Sequence, residues 1–439
     1  MQLTRTHKER IKTLFIALLA VSAVVLGSLT GLFELPIRAG GPEPEGESGV
    51  VRPWDRAGQI LPAAWPSAAM ATIAPETFQG HQMDAQEGSP ANEGLGTLYA
   101  LFSGHLGEAL GSSGPSVAVT RAEWEAALLE RGVFFQYDVE LPAAVFARWF
   151  GTEVGGAQGP MSALALSVGQ EAVYLYYMGR AGVPYRSATA VRPEGLREVL
   201  ENLVPNGARF GFFLPQTEMD PDAVLLASHS GIPTVWGMNA VGSVYAHGDA
   251  FLEALGLTPA LIRYFDEGGT RTIVEGGATL WIHENGLLTY HCQCENPRLS
   301  AEAFGEGDLT QAIEAARRVV EVLHLVSGEA ELWLTDWSYE EGAFLLVFGY
   351  YLGGVPVWMS APAATVQLVE GTVREVTLFA RAFYKTGFYG PVMPEVQAMA
   401  AAGGAIRLAY TAVDFDVAPE AVELRARWLL GPAGEVSHG

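Results

Sequence analysis

ATLWIHENGLLTYH, Ala278–His291, sets two apolar runs on either side of Glu284–Asn285–Gly286. Asn-Gly between such runs is the strongest short-range hairpin signal. A second stretch, ATVQLVEGTVREVTLF (Ala364–Phe379), repeats the pattern through Glu370–Gly371. The order around each is the same: a helix, several strands, then the hairpin. The helix ahead of the second covers 309–325, apolar at Ala312, Ala315, Ala316, Val319, Val320 and Leu323 with a helical period. The repeat predicts two related α+β modules, each a helix laid on an antiparallel sheet.

Working outward, the central module is expected over 208–307 and the C-terminal one over 308–432, with a short tail at 433–439. Ahead of them, 50–207 reads as a further α+β domain. Thr120 and Glu123 form a capping box for a helix. Strands are expected at 132–141, 163–168, 172–178 and 185–191. A short helix starts at Pro142, and a longer one over 192–203 ends at the Pro205–Asn206–Gly207 turn. Residues 34–49, with the run GGPEPEGESG, read as a solvated linker.

Before the linker, Thr13–Phe33 is apolar and free of charge. At about 1.5 Å per residue it spans the roughly 30 Å hydrocarbon core of a bilayer. The tail 1–12 holds Arg5, Lys8, Arg10 and Lys12 against Glu9. The positive-inside rule places that tail in the cytoplasm and the bulk of the chain outside the cell membrane. A cleaved signal peptide is the rival. Its apolar region is about 7–15 residues and ends near an A-x-A-like site; this stretch is longer and has no such site close by. Within it Ala20, Ala23, Gly27 and Gly31 share one side, the spacing that lets two membrane helices approach closely.

The 439 residues carry a net charge of −23. The first twelve contribute +3, which leaves −26 on the rest. Such a body repels nucleic acids and anionic lipid, and nucleic-acid binding is excluded. An apolar fraction of 49% and ten Trp supply cores rather than a disordered stalk. The two cysteines, Cys292 and Cys294, sit two apart on an expected strand. Alternation puts both on one face, a disulfide there is strained, and no second pair completes a metal site. They are expected to carry no chemistry.

Catalytic patterns are scarce. GxxxxGK[ST], HExxH and GxSxG do not occur. Lys385–Thr386–Gly387 lacks the S-x-x-K that accompanies it in penicillin-binding proteins, and reads as a turn. Asp414 and Asp416 share a strand face, as ordinary exposed carboxylates do. Ser228–His229–Ser230 are neighbours in sequence, which rarely gives nucleophile–base geometry. No enzyme activity, cofactor or metal is expected. The aromatics Trp333, Trp337, Phe348, Tyr350, Tyr351, Trp358, Phe383, Tyr384, Phe388 and Tyr389 lie on strands or turns. Most fit a core, and some a protein-docking face.

Taken in order, the basic start and single anchor, RPWDRAGQILPAAW (Arg52–Trp65), FGYYLGGVPVW (Phe348–Trp358), the ATVQLVEGTVREV hairpin, LAYTAVDF and the final LRARWLL resemble the YycH/YycI family. Length and three outer units favour its YycH branch. The resemblance implies a membrane-anchored accessory regulator of a cell-wall two-component system in a Gram-positive bacterium. Its implied partners are a sensor histidine kinase (YycG/WalK-like) and a YycI-like protein. Biasing a two-state kinase needs differential contact and no catalysis. The alternatives are an anchored binding protein for a wall or lipid ligand, with an apolar pocket in the modules, and a wall hydrolase acting through Asp414 or His229.

Overall fold

Both quoted hairpins form, and they lie in one sheet. The computed structural model describes residues 62–82, 94–214, 220–226, 232–293, 299, 308–395, 397–398, 406–411 and 421–430. The expected anchor, its Ala20, Ala23, Gly27 and Gly31 stripe and the basic residues Arg5, Lys8, Arg10 and Lys12 lie outside these, as do His229, Asp414 and Asp416. Among the described residues no helix is long and apolar enough to cross a membrane. The architecture is α+β with antiparallel sheets.

The first layer opens with Pro66–Ala74 (β1) and Thr77–His81 (β2), then helix Leu95–Gly111 (α1). Val117–Ala118 (β3), Arg121–Leu129 (α2), Gly132–Pro142 (β4) and Ala143–Trp149 (α3) follow. Pro160–Val168 (β5), Val173–Met178 (β6), Pro184–Ala188 (β7) and Pro193–Glu201 (α4) complete it. The sheet runs β2-β1-β4-β5-β6-β7-β3. Both faces are covered. Alternate residues such as Ala69, Phe135 and Leu164 join the core with α1, while Met70, Phe134 and Ala165 pack against Trp124 and Leu128 of α2. Thr120 closes α2 with the expected capping box.

Sequence patterning misses α1 and β1. Helix α1 carries Gly96, Gly104 and Gly107 and no side-chain cap, so propensity argues against it. It forms because Leu98, Phe102, Leu106 and Leu110 are buried, and Gly107 lets Phe150 approach: a Cβ there would stand 3.0 Å from that of Phe150. Strand β1 is Ala-rich, yet it pairs on both edges with β2 and β4.

Next come Arg209–Phe210 (β8), Val224–Leu225 (β9), Ile232–Asn239 (β10), Val241–Ala246 (α5) and Gly248–Ala254 (α6). Arg263–Glu267 (β11), Thr270–Glu275 (β12), Ala278–His283 (β13) and Leu287–Cys292 (β14) follow. Helix Leu309–Val320 (α7) leads into Glu331–Glu340 (β15), Ala343–Leu352 (β16), Val355–Pro356 (β17), Ala364–Val369 (β18) and Thr372–Phe379 (β19). Arg381–Gly390 (β20), Ile406–Thr411 (β21) and Val422–Leu430 (β22) end the described chain.

The expected division at 307/308 is bridged. The larger sheet runs β11-β12-β13-β14-β19-β18-β16-β15, with β17 on β16, so the two hairpins meet directly at β14 and β19. Helix α7 lays Ala312, Ile313, Ala316 and Val319 on this sheet's buried face. Strand β10, from the central segment, pairs with β20 and β22 in a separate sheet ordered β20-β10-β22-β21. The boundary at 207/208 is bridged too, since Phe210 and Val224 pack with Phe78 and Met70. Periodicity identifies strands but not their partners, and here each half of the repeat leaves an unpaired backbone edge, β14 in one and β19 in the other, that the other closes.

The 284–286 loop is a three-residue connection. Gly286 alone of the three takes a positive φ, 84°, and its N–H donates to His283 O at 2.9 Å. The loop is anchored from outside: Asn239 Nδ2 donates to Glu284 O at 2.7 Å, and Arg381 Nη1 to Asn285 O at 2.7 Å. It is the joint between the two C-terminal sheets.

Candidate functional site

The aromatics predicted from sequence divide between core and surface, with Trp358 exposed beside β21. Tyr350, Tyr351, Phe348 and Phe383 are buried. Trp333 is half-buried and stacks on Tyr351 at 4.5 Å, and Trp337 donates through Nε1 to Glu140 O at 2.8 Å. Tyr384, Phe388 and Tyr389 are exposed, Phe388 by 77%. They lie on β20, the edge strand of the four-stranded sheet. Exposed Trp236 of β10 pairs in register with Tyr384. Sequence alone does not single out Trp236, because Pro233 and Gly237 hide β10 as a strand; its apolar alternation is the available signal.

Beside them is a groove of about 660 Å³ lined by Thr234, Trp236, Thr386, Phe388, Tyr389, Glu423, Arg425 and Arg427. Alternation explains the set: Thr234 and Trp236 share one face of β10, and Glu423, Arg425 and Arg427 the matching face of β22. Arg425 Nε meets Glu423 Oε1 at 3.0 Å. Lys385 sits nearby, 3.7 Å from Glu329. The Lys385–Thr386–Gly387 segment, expected as a turn, belongs to β20. It forms a bulge there: Val235 pairs with Lys385 and Pro233 with Tyr389, while Gly387 takes φ 76°. The bulge is what turns Phe388 and Tyr389 outward. An aromatic groove with Arg427 in its wall, on an acidic chain, suits docking of a partner by burial of rings and pairing of a carboxylate.

A second, apolar pocket of about 270 Å³ lies under α5 and α6. Phe251, Leu252, Ile273, Leu280 and Ile282 form it, and Tyr245, Tyr264 and Arg271 make the rim. The Arg271 guanidinium lies 4.8 Å from the Tyr245 ring and 5.4 Å from that of Tyr264. Asp266 already takes two hydrogen bonds from it, at 2.7 and 3.0 Å. The rim therefore offers an anionic ligand no uncompensated cation.

A third, polar cleft of about 230 Å³ separates β1 and β4 from β21 and β22, with Asp138, Asp220, Glu395 and Arg407 in its walls. Gln82 Nε2 donates to Glu395 Oε2 at 2.7 Å. Asp138 of β4 accepts from Arg407 Nη2 of β21 and from Tyr351 OH of β16. This triad ties three sheets together. Asp138→Ala leaves the Arg407 charge without its carboxylate. Full burial of such a pair makes its loss cost about 3–5 kcal/mol; with the side chains 21% and 30% exposed, the expected cost is about 2 kcal/mol, read from the urea midpoint at constant m. Asp138→Asn, which keeps an acceptor, should lose less.

Cys292 corrects its expectation: it is disulfide-bonded, and the sequence holds one other cysteine, Cys294, which lies outside the described residues. His291 points to the opposite face of β14, where its Nε2 lies 3.6 Å from Glu375. Among the described residues no group of three His, Cys, Asp or Glu side chains is placed to hold a metal ion. Comparison of the chain with protein-family models, with curated proteins and with solved structures finds no match in any of the three.

Proposed function

We propose that the protein is a non-catalytic, membrane-anchored accessory regulator of a sensor histidine kinase in a cell-wall-controlling two-component system. It acts with a YycI-like partner through the helix over 13–33 and through its outer body. The observation that supports this reading is the groove lined by exposed Trp236, Phe388 and Tyr389, with exposed Tyr384 paired to Trp236. Covering about 200 Å² of ring surface there is worth about 5 kcal/mol before the costs of association. Only the part of that contact made in one of the two kinase states counts toward the coupling of about 1–3 kcal/mol that biases it.

The test is co-purification of the full chain with the kinase and with the YycI-like protein. Trp236→Ala with Phe388→Ser should weaken capture at least about tenfold while leaving the circular dichroism spectrum unchanged. Gly27→Leu with Gly31→Leu should weaken it independently. Capture that survives both pairs of changes removes the proposal. The apolar pocket under α5 and α6 supports a second reading, an anchored binder of a wall or lipid ligand. Mass spectrometry of the gently extracted protein would then find a ligand that Leu280→Trp excludes.

A further inference from the structure

Among the described residues, the sheet edges at β2, β15, β20 and β21 are plugged. At β2, Asn206 donates to Phe78 O and Gly80 O and accepts from Gly80 N. At β15, Leu334 N donates to Ala63 O, and a bulge follows at Leu334/Asp336. At β20, Phe383 exchanges bonds with Ser327 and Glu329, and Lys385 N donates to Glu329. At β21, Trp358 N donates to Tyr410 O. Strand β3 is two residues long. These are the devices by which sheet edges avoid pairing with other chains.

Strand β11 has none of them. It is the outer strand of the largest sheet, and all five residues, RYFDE, are exposed. It holds no Pro, no Lys and no bulge, and its register with β12 is unbroken. Among the described residues no hydrogen bond reaches its outer edge. Leu261, Tyr264 and Phe265 are each 60% or more exposed.

The hydrogen-bond phase of that edge follows from the turn. Gly268 and Gly269, at φ 56° and 76°, form a two-residue connection closed by Glu267 and Thr270. The closing pair is hydrogen-bonded, so alternation turns the N–H and C=O of Arg263, Phe265 and Glu267 inward. Those of Tyr264 and Asp266 point out.

We propose that β11 is a self-association strand, which pairs antiparallel with β11 of a second copy about a two-fold axis at Phe265. In that register Tyr264 and Asp266 of each copy exchange both backbone bonds with Asp266 and Tyr264 of the other, about four in all. Arg263 stands opposite Glu267 of the second copy, and Glu267 opposite its Arg263. The two Phe265 face each other at a non-hydrogen-bonded pair, with Cα atoms about 4.5 Å apart. Neighbouring registers lose this match. An axis at Asp266 sets two carboxylates face to face, and one at Tyr264 sets Arg263 against Phe265. Parallel pairing in register aligns like charges. The strand is thus complementary to itself in one arrangement, as an isologous interface requires. At about 0.15 M salt the screening length is about 8 Å, which damps repulsion between two acidic bodies and spares contact pairs.

The full chain, in detergent and without reductant, provides the test. Phe265→Cys places two thiols across the axis at a separation a disulfide accepts, and mild oxidation should give a covalent species of twice the chain mass. Thr272→Cys, on the same face one strand in, should give none. By sedimentation, Arg263→Glu should raise the dimer dissociation constant at least about tenfold. Adding Glu267→Arg should return it to within about threefold of the parent, since the swapped charges pair again. A dimer unaffected by Arg263→Glu, with no cross-link in the Phe265→Cys variant, would be held elsewhere in the chain and overturns the proposal. So does a monomer, or a cross-linked product whose mass is not twice that of the chain.

Discussion

Gly286→Ala is expected to lower the unfolding free energy by about 3 kcal/mol or more. Two costs combine. The position takes φ 84°, where a Cβ costs about 1–2 kcal/mol. The added carbon would then stand 2.6 Å from Arg381 Nη1 and Asn239 Oδ1, and 2.8 Å from Ala380 O. The last of these is backbone, and the first belongs to a side chain 1% exposed and bonded to the same loop. Overpacking of this kind costs a further ~1–3 kcal/mol. Gly342→Ala separates the two costs. Its φ is 83°, but nothing lies within 4 Å of a Cβ there, so it should lose only about 1–2 kcal/mol. Urea unfolding of both variants decides it: a Gly286→Ala no weaker than Gly342→Ala would show that the joint between the two sheets tolerates the extra carbon.

That joint also marks where legibility from sequence stops. The hairpins at Asn285–Gly286 and Glu370–Gly371 are readable because turn chemistry is local, as is the Thr120–Glu123 cap. The pairing of β14 with β19 is not, because any two alternating strands present the same signal and partner choice is made by tertiary packing. The likeness of the two stretches suggests two modules; in the fold it makes one continuous sheet. Helix α1 escapes for the opposite reason: its glycines argue against a helix until Phe150 is seen packed on Gly107. In the aromatic groove, Tyr384, Phe388 and Tyr389 are legible as candidates. Trp236 is not, since its role depends on β10 lying beside β20. The bulge at Gly387, which exposes the rings, has no sequence signal distinct from that of a turn.

In the polar cleft and beside it, two buried groups should give opposing pH dependences that conceal each other. Burial pushes the Glu395 carboxyl up from 4.5 to about 7, against the hydrogen bonds from Gln82 and the Leu226 backbone. Burial pushes His81 down from 6.5 to about 4. A raised carboxyl favours the folded state fully below the unfolded value of 4.5, and that contribution is lost as pH rises through about 7. A depressed imidazole contributes above 6.5 and loses it as pH falls through about 4. Each shift corresponds to about 3 kcal/mol. Between about pH 4.5 and 6.5 the two slopes have opposite sign and similar size, so together they should leave stability nearly flat there. Single variants unmask them. Relative to the parent, Glu395→Gln should gain about 3 kcal/mol between about pH 4 and pH 8 while keeping an acceptor for Gln82. His81→Gln should gain a similar amount as pH falls from about 7 to 4. Other carboxylates titrate alike in parent and variants and drop out of the differences. If the Glu395→Gln difference is level from about pH 4 to 8, Glu395 is not held by burial in the cleft. The pairing has a structural consequence: Gln82 follows directly on β2, so ionising Glu395 strains the same strand end that protonating His81 strains. Amide exchange at β2, corrected for intrinsic rates, should therefore be nearly level between about pH 4.5 and 6.5 in the parent and acquire a pH slope in either single variant.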